Sequence, residues 1–296
     1  MPGHASGQTN STRIGIVIPT YNCADQVERL IRSIRAQTYS NYSVVVVDQS
    51  STDRTPEIAR SQGCMVVDVP RPESYVPWIT DPLPAHSRNL GAQSVAGNIL
   101  LHLDSDMELG SPDFLEKLVH LIDSQHEAVV IREIDLASGF WPQCKAVERS
   151  CYYGTEMEAA RAVTRALFDR VGGYDREVSS GEDYFVTGLY QRETQLVRDN
   201  SLLLRHHVGR YSLRSLLRKK FVYGRTAGRY LRRSRLVQGR STASIIGASL
   251  GAYIKNWRLF LRHPIQYVCV IPLRVMEFTA IQLGMRLRSN VSQGST

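Results

Sequence analysis

Apolar and polar positions alternate in two rhythms along the first half of the chain. Ile14–Ile18 is a near-continuous apolar run closed by Pro19, which predicts a buried strand. Asp25–Gln37 then sets Val27, Leu30, Ile31 and Ile34 at helical spacing, with Asp25 as the expected cap. The pattern repeats. Val44–Val47 predicts a second strand, Thr55–Gln62 a helix, Cys64–Val69 a third strand and His86–Val95 a helix. Ile99–Leu103 predicts a fourth strand, Pro112–Ser124 a helix and Ala128–Ile134 a fifth strand. Residues 135–199 are less regular. Residues 212–240 predict a basic helix or helix pair, and 241–296 predict amphipathic segments broken by Pro264 and Pro272.

Strands alternating with helices predict an α/β fold with a mostly parallel sheet. In such sheets ligands bind beyond the carboxyl ends of the strands. Polar clusters sit at those ends here: Thr20–Asn22, Asp48–Asp53 and Asp104–Asp106. A single shared site follows from that placement. No G-x-G-x-x-G follows the first strand and no G-x-x-x-x-G-K-[ST] occurs, so the phosphate-cradling loops of dinucleotide-binding and P-loop proteins are missing.

Charge changes the picture of the second half. The chain carries 36 Lys/Arg and 28 Asp/Glu, a net of +8, but Glu277 is the only acid after Asp199. Residues 200–296 therefore hold a net +17 and residues 1–199 a net −9. A tail so basic is expected to meet something anionic. Aromatic residues interleave with its arginines, yet no nucleic-acid-binding motif is present, and the apolar segments after residue 241 fit a membrane surface better. The uncharged run Ser241–Ile254 is 14 residues, too short to span, so peripheral contact through residues such as Ile245, Ile246, Leu250, Trp257, Leu259 and Phe260 is the expectation. Five scattered cysteines without C-x-x-C spacing predict reduced thiols rather than a zinc site. Residues 1–12 read as a polar, disordered leader without the apolar core of a secretory signal.

Asp104-Ser105-Asp106 is the main chemical feature. Two carboxylates just past a buried strand suit Mg²⁺ or Mn²⁺, which takes few protein ligands and leaves positions for phosphate oxygens. A solvated acidic turn is the bland alternative. The stretches IGIVIPTYN, VVVVDQSSTDRT, SRNLGAQSVAGNILLHLDSDM and GEDYFV lie in order over 14–186. Together they resemble the family 2 glycosyltransferases, whose nucleotide-sugar-binding α/β fold is called GT-A.

The resemblance implies roles residue by residue. Pro19, Thr20 and Tyr21 match the loop bordering the nucleotide, and Asp48 the acid that contacts base or ribose. Gln49 stands where many members carry a second acid. Arg88 and Asn89 match an S-R-N-x-G stretch in which the arginine faces the diphosphate. Asp104 and Asp106 match the D-x-D motif, with Asp106 the direct metal ligand and Asp104 on ribose or metal-bound water. Asp183 matches the catalytic base and Glu182 its helper, behind Gly172-Gly173-Tyr174-Asp175, which matches an acceptor-side loop. His206, with His207 as fallback, matches a histidine completing the metal or diphosphate site, although Val208 replaces the glutamate of that subset. Two adjacent residues point to opposite sides, so at most one of the two histidines serves.

The implied function is metal-dependent, inverting transfer from a nucleotide-diphospho-sugar. The acceptor would be membrane-presented, a lipid-linked glycan or polyprenyl phosphate. Residues 13–211 would form the catalytic domain and 212–296 a basic helical extension on the cytoplasmic membrane face, with no nucleic-acid partner. The alternatives are a transferase acting on a small molecule or protein, and a decayed binding module. A nucleotidyltransferase fits poorly, because Pro19–Asn22 stands where its glycine-rich loop belongs.

Overall fold

The apolar runs become strands because burial on both faces favours their β-branched side chains. The computed structural model describes residues 12–70, 83–155, 157–178, 181–239 and 242–293, so residues 1–11 of the expected leader lie outside it. The order begins β1 (Ile14–Thr20), α1 (Ala24–Arg35), β2 (Tyr42–Asp48), α2 (Thr55–Ser61), β3 (Met65–Asp68) and α3 (Leu83–Ser94). It continues through β4 (Ile99–His102), β5 (Met107–Leu109), α4 (Phe114–Leu121), β6 (Ala128–Ala137), α5 (Phe140–Cys151), β7 (Ala160–Thr164) and α6 (Arg165–Arg170). It ends with α7 (Glu182–Glu193), β8 (Leu196–Gly209), α8 (Leu213–Gln238), α9 (Thr242–Lys255), α10 (Leu259–Arg262) and α11 (Pro264–Gln293).

The described strands form one sheet in the order β3-β2-β1-β4-β7-β6-β8-β5. The β1–β2, β2–β3, β1–β4 and β6–β8 pairs are parallel; β4–β7, β6–β7 and β5–β8 are antiparallel. The chain leaves β1 toward β2 and β3, then returns to add β4 on the other side of β1. That reversal opens a crevice at the carboxyl ends of β1 and β4, where ligands bind in open α/β sheets.

Strand alternation divides the core. Ile14, Ile16 and Ile18 face α1, whose Val27, Leu30, Ile31 and Ile34 are buried against them. Val17, Val45 and Val47 face the opposite layer with Ala85 and Ala92 of α3. Gly91 lets α3 lie on the sheet: a Cβ there would stand 2.4 Å from Val17. Asp25 is not the cap of α1. The N-cap is Cys23, without a side-chain bond, and Asp25 sits in the first turn, where it favours the helix dipole.

The basic segment is one 26-residue helix, α8, capped by Ser212, whose hydroxyl accepts from the Ser215 amide at 3.2 Å. Pro272 does not break the helix that follows: α11 runs through it. The Pro264–Arg286 stretch is thus long and apolar enough to cross a membrane by length and composition, contrary to the expectation of short broken segments. Losing one hydrogen bond at Pro272 is tolerated because α11 is held from the side by α8 and α5. Gly224 and Gly284 bring α8 and α11 into backbone contact; a Cβ on either would meet the carbonyl of Ile281 or Phe221 at 2.1 or 2.0 Å.

A buried charge cluster locks these helices together. Glu277 is inaccessible and lies 3.1 Å from Lys145 of α5, 3.3 Å from Arg274 and 3.7 Å from Lys220 of α8. Glu148, also buried, pairs with Lys145 and Arg274 and accepts from the Tyr152 hydroxyl at 2.6 Å. Removing one partner of such a cluster leaves buried charge uncompensated, at a cost of about 3–5 kcal/mol. Glu277→Ala should therefore lower unfolding free energy by that amount, measured by urea denaturation; a change under about 1 kcal/mol would show that the cluster does not hold the helices.

Candidate active site

Three loops meet at the crevice. The first follows β1 and is tied to the end of β2. The Thr20 hydroxyl donates to Asp48 Oδ1 at 3.0 Å, and Asp48 also accepts from the Ser51 amide (2.8 Å) and hydroxyl (2.6 Å). Asp48 is buried and shapes the Asp48–Ser51 turn, in which Ser50 adopts φ 58°. Pro19 aligns with Val47 across β1–β2, and Tyr21 is exposed at the rim. Gln49 is buried, with its side-chain nitrogen 3.3 Å from Ser87 Oγ.

The second is the turn Asp104-Ser105-Asp106 between β4 and β5, closed by the Met107 amide donating to the Asp104 carbonyl at 3.0 Å. Both carboxylates keep about a third of their side-chain surface exposed (33% and 32%), so each has a face for a ligand. The third is the start of α7, where Gly181 takes the left-handed conformation (φ 77°) and presents Glu182 and Asp183 in the first turn. Residues 104–106 and 182–183 are far apart in sequence, and two buried arginines join them.

Arg88 of α3 donates to Asp104 at 2.6 Å and to Glu182 at 2.8 Å, and stands 3.4 Å from Asp183. Arg161 of β7 spreads its three nitrogens over three carboxylates: Asp104 at 3.0 Å, Asp183 at 3.2 Å and Glu133 of β6 at 2.8 Å. Arg149 of α5 pairs with Glu133 and with Asp135, the latter at 3.1 Å. Asp135 and Asp106 then hold His206 of β8 from opposite sides, at 2.8 Å on Nδ1 and 3.2 Å on Nε2. An alternating chain of charges thus runs from Asp183 to Asp106 around the crevice.

The electrostatics follow from that chain. Burial opposes ionisation of Asp104, but Arg161 and Arg88 outweigh it and hold the carboxyl well below the usual range. Burial, and then the Asp183 charge, push Glu182 up. Burial also opposes charge on His206, yet its hydrogen bonds to Asp106 and Asp135 raise it to about 10, so a metal ion binding at Nε2 would have to displace a proton there.

His207 points away and pairs with Glu108 at 2.8 Å, as strand alternation requires. Asn89 is not brought to the cluster with Arg88. Its amide brackets the turn before α7, accepting from the Tyr174 amide and donating to the Tyr174 carbonyl, both at 2.8 Å. Arg161, Glu133, Asp135 and Arg149 were not anticipated. The alternation Glu133-Ile134-Asp135-Leu136 carried a signal: two carboxylates on one strand face, directly after an apolar run. A lone arginine in Ala160–Val163 carried another, since a buried guanidinium needs partners.

Among the described residues no three His, Cys, Asp or Glu side chains converge as a metal cluster. Asp106 and His206 form a converging pair, and His206 keeps a carboxylate on its other nitrogen, as metal-bound histidines do.

Comparison with known proteins agrees with this arrangement. The profile described as Glycosyl transferase family 2 matches residues 15–219. An uncharacterized glycosyltransferase of Haemophilus influenzae is 28% identical over 191 residues, covering 58% of this chain and 59% of that protein. The 4,4'-diaponeurosporenoate glycosyltransferase of Staphylococcus haemolyticus is 31% identical over 113 residues, covering 38% and 29%. The chain thus spans less than two thirds of the length of these relatives. The fold is that of the mannosyltransferase PcManGT from Pyrobaculum calidifontis, solved with GDP-Man and Mn²⁺: TM-score 0.57, 18% identity, covering 94% of this chain and 87% of that one.

Proposed function

The chain belongs to glycosyl transferase family 2, and from that premise we propose that it transfers a sugar from a nucleotide-diphospho-sugar, with inversion at the anomeric carbon, to a membrane-presented acceptor. One observation carries the reading. Asp104, Asp106, Glu182, Asp183 and His206 come from distant parts of the sequence and meet at the carboxyl ends of β1 and β4.

In this reading Asp183 takes the proton of the acceptor hydroxyl as the sugar moves in line. Its Oδ2 is held by Arg161 at 3.2 Å, and its Oδ1 lies 3.4 Å from Arg88 Nη1. Glu182, bound to Arg88, keeps that arginine in place. Thr20, Tyr21 and Asp48 border the nucleotide, with Asp104 toward the ribose. Asp106 and His206 Nε2 fit a Mn²⁺ or Mg²⁺ shared with diphosphate oxygens, and Asp135 would orient the imidazole. A cation bound there would supply Lewis acidity that offsets charge on the departing diphosphate. A screen of nucleotide sugars, read as release of nucleoside diphosphate, tests the activity. The expected result is release from one or a few donors; release from none would overturn the reading.

The acceptor is proposed to be a lipid-linked glycan or polyprenyl phosphate, reached by residues 212–296 docking peripherally on the cytoplasmic face, with 13–211 as the catalytic domain. Support comes from an exposed apolar stripe on α11: Ile265, Val268, Ile271, Val275 and Phe278. Leu250, Ile254, Trp257, Phe260 and Leu261 are exposed nearby, with Arg258 and Arg262 among them; the side chains of Ile245 and Ile246 lie outside the described residues. Charge recruits and apolar insertion retains: each basic residue near an anionic surface is worth about 1 kcal/mol. Vesicle co-sedimentation should therefore require acidic lipid, weaken in high salt and be lost in Val268→Glu/Val275→Glu. Equal binding to neutral and acidic vesicles would contradict the docking.

A further inference from the structure

We propose that Arg161 is the positioning residue of the catalytic base. Its guanidinium holds Asp183 through Oδ2 and thereby fixes the orientation of the carboxylate that takes the acceptor proton. This rests on Asp183 being the base.

The three nitrogens of Arg161 divide their bonds among three elements. Nη1 reaches Asp183 at the start of α7, Nη2 reaches Asp104 at the end of β4, and Nε reaches Glu133 on β6. The side chain is 6% exposed and rises from β7, whose Ala162 aligns with Leu101 of β4 and Val129 of β6. Arg161 thus stands in the middle of the sheet, where no loop movement carries it away. Without it Asp104, Asp183 and Glu133 would face one another across a buried space with only Arg88 and Arg149 to neutralise them. Asp183 and Glu182 would both compete for Arg88, which already reaches Asp183 at 3.4 and 3.5 Å.

The fork is the reason for arginine. A planar guanidinium offers donors in fixed divergent directions, whereas a lysine offers one charged point on a flexible stem. Lysine at 161 preserves charge and cannot hold all three carboxylates in register. The donor side has a second anchor, since Arg88 binds Asp104 at 2.6 Å whatever stands at 161. Loss of Arg161 should therefore fall on the acceptor side and leave donor affinity nearly unchanged.

The test is a cycle of Arg161→Lys, Asp183→Asn and the double variant in the full chain. It measures kcat, the donor dissociation constant and the melting temperature of each. Arg161→Lys should lower kcat roughly 10- to 100-fold with donor affinity within about threefold of wild type. In the Asp183→Asn background the same change should cost nothing further, because a residue acting through Asp183 has nothing left to act on. Full additivity overturns the inference, and so does a loss of donor affinity and melting temperature in parallel with kcat, which marks a merely structural role. An unchanged kcat in Arg161→Lys overturns it as well. If Asp183→Asn alone turns over at near wild-type rate, the assignment of the base falls and takes this inference with it.

Discussion

Asp183→Asn should abolish most transfer, lowering kcat roughly 10²- to 10⁴-fold, while the nucleotide sugar binds within about threefold of its wild-type affinity. The substitution is nearly isosteric, and its remaining oxygen can still accept from Arg161 or Arg88. What it removes is the capacity to take a proton. In the proposed assignment the base acts on the acceptor, so the donor side, assigned to Asp104, Asp106 and Asp48, should be left intact. Steady-state rates together with calorimetric donor titration check both halves. Turnover near the wild-type rate would place the base elsewhere, with Glu182 next in line.

Much of this arrangement was legible in the sequence, and the parts that were not share a cause. The β1, β2 and β4 runs are apolar, short and closed by polar residues, so local pattern and tertiary role agree. The D-x-D pair stands out in the sequence because motif and strand end coincide, and Glu182-Asp183 because Gly172-Gly173-Tyr174-Asp175 precedes it. β8 was missed because Asp199, Asn200 and Ser201 interrupt it, and only pairing with β6 and β5 makes that stretch a strand. Arg161, Glu133, Asp135 and Arg149 escaped because an ion-pair network is a property of several strands at once, visible only when they are brought into register. Asn89 was drawn to the ligand by its neighbour Arg88, although adjacent helical residues face about 100° apart, and its amide serves the Tyr174 turn. Pro272 was read as a break because the local rule counts the lost hydrogen bond and not the packing of α11 on α5 and α8.

Asp106→Asn should carry the second large effect. Asp106 and His206 are the pair that fits a divalent cation, and a cation's stabilisation of a departing diphosphate is worth about 3 kcal/mol or more, roughly 100-fold in rate. Folding should hardly change, because Asp106 is a third exposed and His206 keeps Asp135 at 2.8 Å. Excess chelator should reproduce the loss in the wild type and do little more to the variant. Full turnover in chelator would show that transfer runs without a metal.

Titrating a nucleotide sugar into the full chain, with Mn²⁺ and with chelator, in wild type and in Asp106→Asn, tests the central assignment most directly. If the crevice between β1 and β4 is the donor site, wild type binds the nucleotide sugar more tightly with Mn²⁺ than without, and Asp106→Asn loses that gain. Failure of every nucleotide sugar to bind, or a metal-dependent gain that survives in Asp106→Asn, would contradict it.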